Sequence, residues 1–157
     1  DAEDRRGWQR VGGSWLRLPP STPWAVVHFV GGAALGTAPQ LCYDRLWADV
    51  CERASIAVIA TPYDVGPDHS RLAAACTAAF EATQAEARDL GLLPPGAPLF
   101  RVGHSLGAKL LVVEACRAGQ GEGDEARAAP PPAPLGLMAY NNFGVADSVR
   151  LATSVVQ

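Results

Sequence analysis

The sequence has few charged residues and no long hydrophobic run. Of its 157 residues 18% are charged and 48% hydrophobic, enough apolar material for one sizeable core and too much for a disordered chain. The net charge is −3, and no stretch has the density of positive charge that nucleic-acid binding requires. The longest apolar runs, such as Ala25–Val30, are far shorter than the roughly 18 residues of a membrane span. We therefore expect a soluble globular domain without a transmembrane segment or a nucleic-acid partner.

Cysteine and histidine are too sparse to indicate a metal site. The four cysteines, Cys42, Cys51, Cys76 and Cys116, include no C-x-x-C pair, and no histidine stands at metal-ligand spacing. We interpret them as buried thiols of a protein in a reducing compartment, and we expect neither a metal nor another cofactor. Because the only methionine is Met138, we expect any targeting peptide to lie upstream of residue 1.

Short hydrophobic runs predict the strands. After a charged start at residues 1–7, Gly12-Gly13 joins two runs and predicts a β-hairpin whose turn needs positive φ at both glycines. Continuous apolar runs further along predict strands that are buried on both faces. The predicted hairpin strands are Trp8–Val11 and Ser14–Leu18, and the predicted buried strands are Ala25–Val30, Ile56–Thr61, Leu99–Gly103 and Leu135–Tyr140.

Helical patterns at residues 37–53, 70–90 and 106–118 separate the buried strands. The first opens with a capping-box pattern from Thr37 to Gln40, and its apolar stripe is predicted to be Cys42, Leu46 and Val50. Alternating strands and helices predict an α/β fold, with a mostly parallel sheet that carries helices on both faces. We predict one partial domain over residues 1–157, with a disordered, proline-rich surface insertion at 119–134.

The pattern Gly103-His104-Ser105-Leu106-Gly107 lies between a predicted strand and a predicted helix. The flanking glycines permit a strained turn that lifts Ser105 above the sheet, while the helix N-terminus directs amides such as that of Leu106 at a developing oxyanion. The pattern therefore predicts a nucleophile elbow. The alternative is a glycine-rich turn whose serine only caps the helix.

A second glycine-rich segment, Val30-Gly31-Gly32-Ala33, follows the first buried strand. Many hydrolases carry a His-Gly pair at this point, so aligning Gly31 with that glycine makes the Gly32 amide the second oxyanion donor. Val30 then stands where the histidine would be. The alternative is a tight turn that needs positive φ.

No histidine follows Ser105, so the hydrolase order of serine, acid and histidine cannot be completed within these residues. We expect His28, inside a strand, to be a hydrogen-bonded core residue, and the His104 side chain to point away from Ser105. His69 is the one histidine on a loop at the carboxyl ends of the strands, although its strand lies toward the far side of the sheet. We keep it as a candidate site residue.

Two further residues are candidates for the chemistry. Asp147 follows the last predicted strand, where some hydrolases place the catalytic acid, and a solvated loop carboxylate is the alternative. Lys109 lies one turn after Ser105 and could act as the base of a Ser–Lys pair. An outward-pointing lysine, or one that caps a carboxylate, is the simpler interpretation.

Four blocks in this order resemble a known family: V-V-H-F-V-G-G-A-A-L-G-T-A-P-Q (26–40), I-A-T-P-Y-D (59–64), V-G-H-S-L-G-A-K-L (102–110) and Y-N-N-F-G-V-A-D-S-V (140–149). They are similar to the domain of unknown function 1350 family, an α/β-hydrolase-like family of photosynthetic lineages. The resemblance implies an α/β-hydrolase-like fold and, in eukaryotic members, chloroplast residence. It implies no known substrate.

By the general hydrolase pattern, the resemblance maps Ser105 to the nucleophile and the Leu106 and Gly32 amides to the oxyanion hole. The acid and histidine positions would then fall on strands beyond the end of the chain. We therefore expect a fragment that stops after the sixth strand, in which the hairpin supplies strands one and two and the buried strands are three to six.

Three functions compete. The first is a serine hydrolase of esters or other acyl compounds, which is incomplete in this fragment, and the second is a non-catalytic member that binds a ligand or a partner. The third, dinucleotide binding, is disfavoured because Gly31–Gly36 is not G-x-G-x-x-G and Thr61, not an acidic residue, ends the second buried strand.

Overall fold

The computed structural model describes residues 7–119, 133–140 and 142. Most of the expected insertion at 119–134 and of the charged start lies outside these residues. The elements in chain order are β1 Trp8–Val11, β2 Ser14–Arg17, β3 Ala25–Val30, a 3-10 turn Ala34–Thr37, α1 Pro39–Cys42, α2 Asp44–Ala54, β4 Ile56–Ala60, α3 His69–Asp89, β5 Leu99–His104, α4 Leu106–Ala118 and β6 Leu135–Met138.

The six strands form one sheet in the order β1-β2-β4-β3-β5-β6. β1 and β2 pair antiparallel, as do β2 and β4, whereas β4, β3, β5 and β6 run parallel. The predicted hairpin and the mostly parallel sheet are therefore confirmed. Because β3 lies between β4 and β5, the loops after β3 and β5 leave the same edge of the sheet side by side.

Helices cover both faces of the sheet because β3 is apolar on both sides. Its residues Val27 and Phe29 pack against α2, while Val26 packs against the face that α3 covers and Val30 against α3 and α4. All six residues of β3 are buried. The prediction of a strand without polar alternation is confirmed, as expected for a central parallel strand.

The first helical segment differs from its prediction. From Tyr43 onward its buried residues are Tyr43, Trp47 and Cys51. Of the predicted stripe, Cys42 and Leu46 are exposed and Val50 is partly buried against the core, so the buried face is displaced by one residue. Tyr43 also separates α1 from α2, so the segment is two helices and not one. Phe29 explains the choice of face, because its ring meets the Tyr43 and Trp47 rings edge to face at 4.7 and 4.9 Å.

The predicted capping box is absent. Thr37 ends the 3-10 turn, and Ala38, which makes no side-chain hydrogen bond, is the N-cap of α1. The Gly36 amide donates to the carbonyl oxygens of Gly32 and Ala33, and the Gly36 carbonyl accepts from the Tyr63 amide. These bonds wind the chain into a 3-10 turn before Thr37 can adopt the extended conformation of an N-cap.

Three smaller predictions are also corrected. Only Gly12 of the hairpin turn has positive φ, +53°, which fits a type II′ turn and not the type I′ turn that was expected. β6 was predicted to be buried, yet it lies at one end of the sheet and its Leu137 is 43% exposed. The cysteines are free thiols as interpreted, but only Cys51 and Cys76 are buried.

Asp44, the first residue of α2, binds the β1–β2 hairpin through its side chain. Its Oδ1 accepts from Trp8 Nε1 at 2.8 Å and from Arg17 Nη1 at 3.0 Å. The Arg17 guanidinium also lies 5.6 Å from the centre of the Trp8 ring. One carboxylate thus joins β1, β2 and α2, and its negative charge also suits a helix N-terminus.

We predict that Asp44→Ala lowers the free energy of unfolding by about 1–3 kcal/mol, because it removes two partly buried hydrogen bonds to charged or ring donors. Asp49→Ala is the matched control, since its ion pair with Arg53 joins side chains that are 60% and 80% exposed. The control should change stability by less than about 0.5 kcal/mol. Urea denaturation measures both values, and equal losses would contradict the assignment.

His28 is a core residue, as predicted. It is fully buried, its Nε2 lies 3.2 Å from Thr61 Oγ1, and its ring stacks on Phe80 at 4.2 Å. Thr61 in turn reaches Ser14 Oγ at 3.1 Å. Burial, with a smaller contribution from the Arg101 charge, lowers the pKa of His28 to about 3. The imidazole is therefore neutral in the folded protein at neutral pH.

This depressed pKa predicts an acid-sensitive fold. The unfolded chain binds a proton at His28 near pH 6.5 and the folded chain only near pH 3. The contribution of neutral His28 to the free energy of unfolding is therefore full above pH 6.5 and is lost as the pH falls toward 3. Between pH 6.5 and 4 the wild type should lose on the order of 3 kcal/mol more stability than His28→Leu. Thr61 keeps its Ser14 partner in this variant. Parallel pH curves from urea denaturation would rule out His28 as the source.

Candidate active site

The loops that follow β3 and β5 meet at one edge of the sheet. The two strands are parallel neighbours in a register that pairs Val30, the last residue of β3, with Gly103 near the end of β5. The glycine loop, residues 31–33, therefore emerges beside the Ser105 turn, residues 103–107. Two segments far apart in the sequence are brought together as the α/β architecture predicts.

Ser105 has an unusual backbone conformation, with φ 51° and ψ −116°. This region is sparsely populated by residues other than glycine and stores strain. The Ser105 side chain makes no capping hydrogen bond with α4, so the helix-cap alternative is wrong. Since α4 begins at Leu106, the Leu106 amide has no acceptor within the helix. The partly buried Ser105 thus stands directly before the N-terminus of α4.

The glycines on either side of Ser105 allow the turn to pack closely. A Cβ on Gly103 would lie 2.5 Å from the Ala108 backbone, and a Cβ on Gly107 would overlap the Val30 and Gly31 carbonyl oxygens. Only hydrogen fits at either position. The helix α4 can therefore lie close to β3 and β5, and Ser105 is the single residue that connects β5 to α4.

We predict that Gly107→Ala lowers the free energy of unfolding by at least about 3 kcal/mol or prevents folding, because its methyl group would meet backbone atoms that cannot move aside. Gly66→Ala is the matched control, since a Cβ there would meet nothing nearer than Leu72 Cδ1 at 4.0 Å. It should change stability by less than about 1 kcal/mol. Thermal and urea unfolding measure both, and a tolerated Gly107→Ala would contradict the packing argument.

The Gly32 amide is hydrogen-bonded to a side chain in this structure. It donates to Tyr43 Oη at 2.9 Å, whereas the sequence predicted it as a donor to an oxyanion. Tyr43 Oη also lies 2.8 Å from His104 Nδ1. Gly32 nevertheless touches the Ser105 turn, because a Cβ on it would lie 3.4 Å from Ser105 Cβ. Tyr43 is the site residue that sequence reasoning missed.

The other two histidines occupy different places. His104 meets Tyr43 and the glycine loop, so it joins the two loops. His69 begins α3 after the N-cap Asp68. Burial, and then the Lys109 charge, lower the pKa of His69, while Asp68 raises it. His69 therefore lies within electrostatic reach of the half-buried lysine that follows Ser105 by one turn.

Some candidates fall outside what the structure describes. Asp147 lies beyond residue 142, so its position relative to Ser105 stays a prediction. In the described ranges no three His, Cys, Asp or Glu side chains are grouped as a metal ion would require. No helix in the same ranges is both long and apolar enough to cross a bilayer.

Comparison with known proteins identifies the family. A family model described as "Protein of unknown function (DUF1350)" matches residues 7–156. The chain belongs to the DUF1350 family. The resemblance inferred from four sequence blocks is thereby confirmed. No curated protein matches the sequence.

Solved structures identify the fold. DphMB1 is 24% identical with a TM-score of 0.54 over 71% of this chain and 38% of its own. The structure titled EstE5-PMSF is 17% identical with a TM-score of 0.51, over 85% and 43%. A thermostable carboxyl esterase from Bacillus coagulans, solved with glycerol, is 18% identical with a TM-score of 0.48, over 73% and 40%.

The DUF1350 chain thus has an α/β-hydrolase-like fold, as predicted. It spans only 38% and 43% of the lengths of the first two structures.

Proposed function

We propose that this protein is a serine hydrolase of esters or other acyl compounds, in which the Ser105 turn is the nucleophile elbow. The observation that carries the proposal is the backbone of Ser105, with φ 51° and ψ −116° between the strand β5 and the helix α4. A serine held there costs stability, and strain of this kind is concentrated at functional sites. The hydrolase-like fold of the solved neighbours agrees with the proposal.

In the proposed reaction Ser105 Oγ attacks the carbonyl carbon of the acyl substrate, and its proton passes to a general base. The carbonyl oxygen becomes an oxyanion, which the Leu106 amide stabilises at the N-terminus of α4. The intermediate then expels the alcohol or other leaving group, which takes the proton. Water hydrolyses the acyl-serine by the same sequence of steps.

The histidines and Asp147 differ as candidates for the general base and the acid. His28 is fully buried and neutral, and His104 Nδ1 is bonded to Tyr43, so neither is a good candidate for the base. Asp147 remains our candidate acid, and His69 remains a candidate through its position near Lys109. The hydrolase pattern places the base on a histidine that follows the acid, and no histidine of this sequence follows Ser105. Chloroplast residence is proposed from the family resemblance alone.

We predict that a fluorophosphonate labels the full-length protein and that Ser105→Ala abolishes the label, because the reagent reacts only with an activated serine. Ser55→Ala is the matched control, since Ser55 also has φ 51° but lies in the ordinary left-handed region with ψ 46° at the end of α2. It should retain full labelling. In-gel fluorescence and peptide mass spectrometry provide the readout.

Labelling that persists in Ser105→Ala would disprove the nucleophile assignment. Full-length wild type that stays unlabelled would favour the second function, a non-catalytic protein that uses the same loops to bind a ligand.

A further inference from the structure

Two buried tyrosines hold one peptide unit of the glycine loop. Tyr63 Oη donates to the Gly31 carbonyl oxygen at 2.8 Å, and the Gly32 amide donates to Tyr43 Oη at 2.9 Å. The Gly31 carbonyl and the Gly32 amide belong to the same planar peptide. Both of its polar atoms are therefore fixed, by side chains that follow β3 and β4.

The Tyr43 hydroxyl also connects this peptide to the residue that precedes Ser105. The Tyr43 hydroxyl oxygen lies 2.8 Å from His104 Nδ1, and it can donate its proton to that nitrogen while it accepts from Gly32. Burial raises the pKa of Tyr43, although the Gly32 hydrogen bond lowers it, so the phenol remains a proton donor at neutral pH.

Tyr43 is too firmly packed to release the Gly32 amide easily. The residue is only 8% exposed, and its ring meets Phe29 edge to face at 4.7 Å and His104 at 5.7 Å. A Cβ on Gly31 would approach the Tyr43 ring to 2.9 Å. The glycine loop thus packs closely on the Tyr43 ring, and the Gly32 amide stays hydrogen-bonded to the Tyr43 hydroxyl.

The next amide along the loop is directed elsewhere. The Gly32 carbonyl accepts from the Gly36 amide at 2.5 Å, which turns it toward the 3-10 turn. The N–H of a trans peptide points opposite to its carbonyl, so the Ala33 amide points away from that turn. Ala33 is exposed, and it follows Gly32, where an added Cβ would lie 3.4 Å from Ser105 Cβ.

We infer that Tyr43 is a positioning residue for the Ser105 site. Tyr43 holds the Gly32 amide in a hydrogen bond and links the glycine loop to the Ser105 turn through His104. The Ala33 amide is then the second oxyanion donor, together with the Leu106 amide. The inference rests on the proposed serine hydrolase function and replaces Gly32 as the donor. An oxyanion hole works only if its donors are held before the reaction begins, and Tyr43 supplies that constraint.

The test measures the rate of Ser105 phosphonylation by a fluorophosphonate in the full-length protein. Tyr43→Phe keeps the ring and removes both hydrogen bonds, so the rate should fall at least tenfold. Ser14→Ala is the control, since it removes another buried hydroxyl, bonded to Thr61 in the sheet, and should leave the rate within twofold. Thermal unfolding of both variants shows whether a slower rate comes from loss of the fold or from loss of the positioning of the Ser105 site in a folded protein.

His104 provides a rescue experiment. His104→Leu removes the acceptor and should slow phosphonylation about as much as Tyr43→Phe. His104→Asn offers an amide oxygen near the place of Nδ1 and should recover most of the lost rate. A merely structural role for His104 predicts no such recovery, because both replacements remove the ring that packs on Tyr43.

The donor itself is tested by proline, which lacks the amide proton. Ala33→Pro should slow phosphonylation at least tenfold, whereas Ala33→Gly, which keeps the amide proton, should leave it within threefold. An unchanged or faster rate in Tyr43→Phe, or equal effects of the two Ala33 variants, would overturn the inference while Ser105 labelling still stands. Absence of labelling in the wild type would instead remove the proposed function, and this inference with it.

Discussion

The arrangement of this molecule depends on a backbone-to-backbone contact. Gly107, in the first turn of α4, packs directly on the carbonyl groups of Val30 and Gly31 at the end of β3. That approach allows β5 to enter α4 through the single strained residue Ser105. It also sets the glycine loop against the Ser105 turn. Two loops that begin about 70 residues apart in the chain therefore share one edge of the sheet.

The hydrophobic pattern predicted the centre of the sheet because β3 and β4 are buried on both faces. β3 and β4 are continuous apolar runs, and such runs between helical patterns leave few alternatives to a parallel sheet. The Ser105 turn was predicted for a similar reason, since its requirements are local: a strand, two glycines, a serine and a helix. Interactions between neighbours in the sequence are the ones that a sequence pattern can express.

Features that depend on distant partners could not be predicted in this way. The Tyr43 hydroxyl bonds to groups 11 and 61 residues away, and nothing in the residues around Tyr43 indicates either partner. The error of one residue in the buried face of α2 has the same origin, because the rings of Phe29 and Trp47 decide which side faces the sheet. The capping box failed because Tyr63 and Gly32 hold the preceding residues in a 3-10 turn.

The most direct test is a crystal structure of the full-length protein after reaction with a small phosphonate. We predict phosphorus bound to Ser105 Oγ, with the phosphoryl oxygen within hydrogen-bond distance of the Leu106 and Ala33 amides and Tyr43 still bonded to Gly32. Phosphorus on another residue would contradict the assignment of Ser105 as the nucleophile. A phosphoryl oxygen bound by the Gly32 amide, with the Tyr43 hydroxyl displaced, would contradict the assignment of Ala33 as the donor.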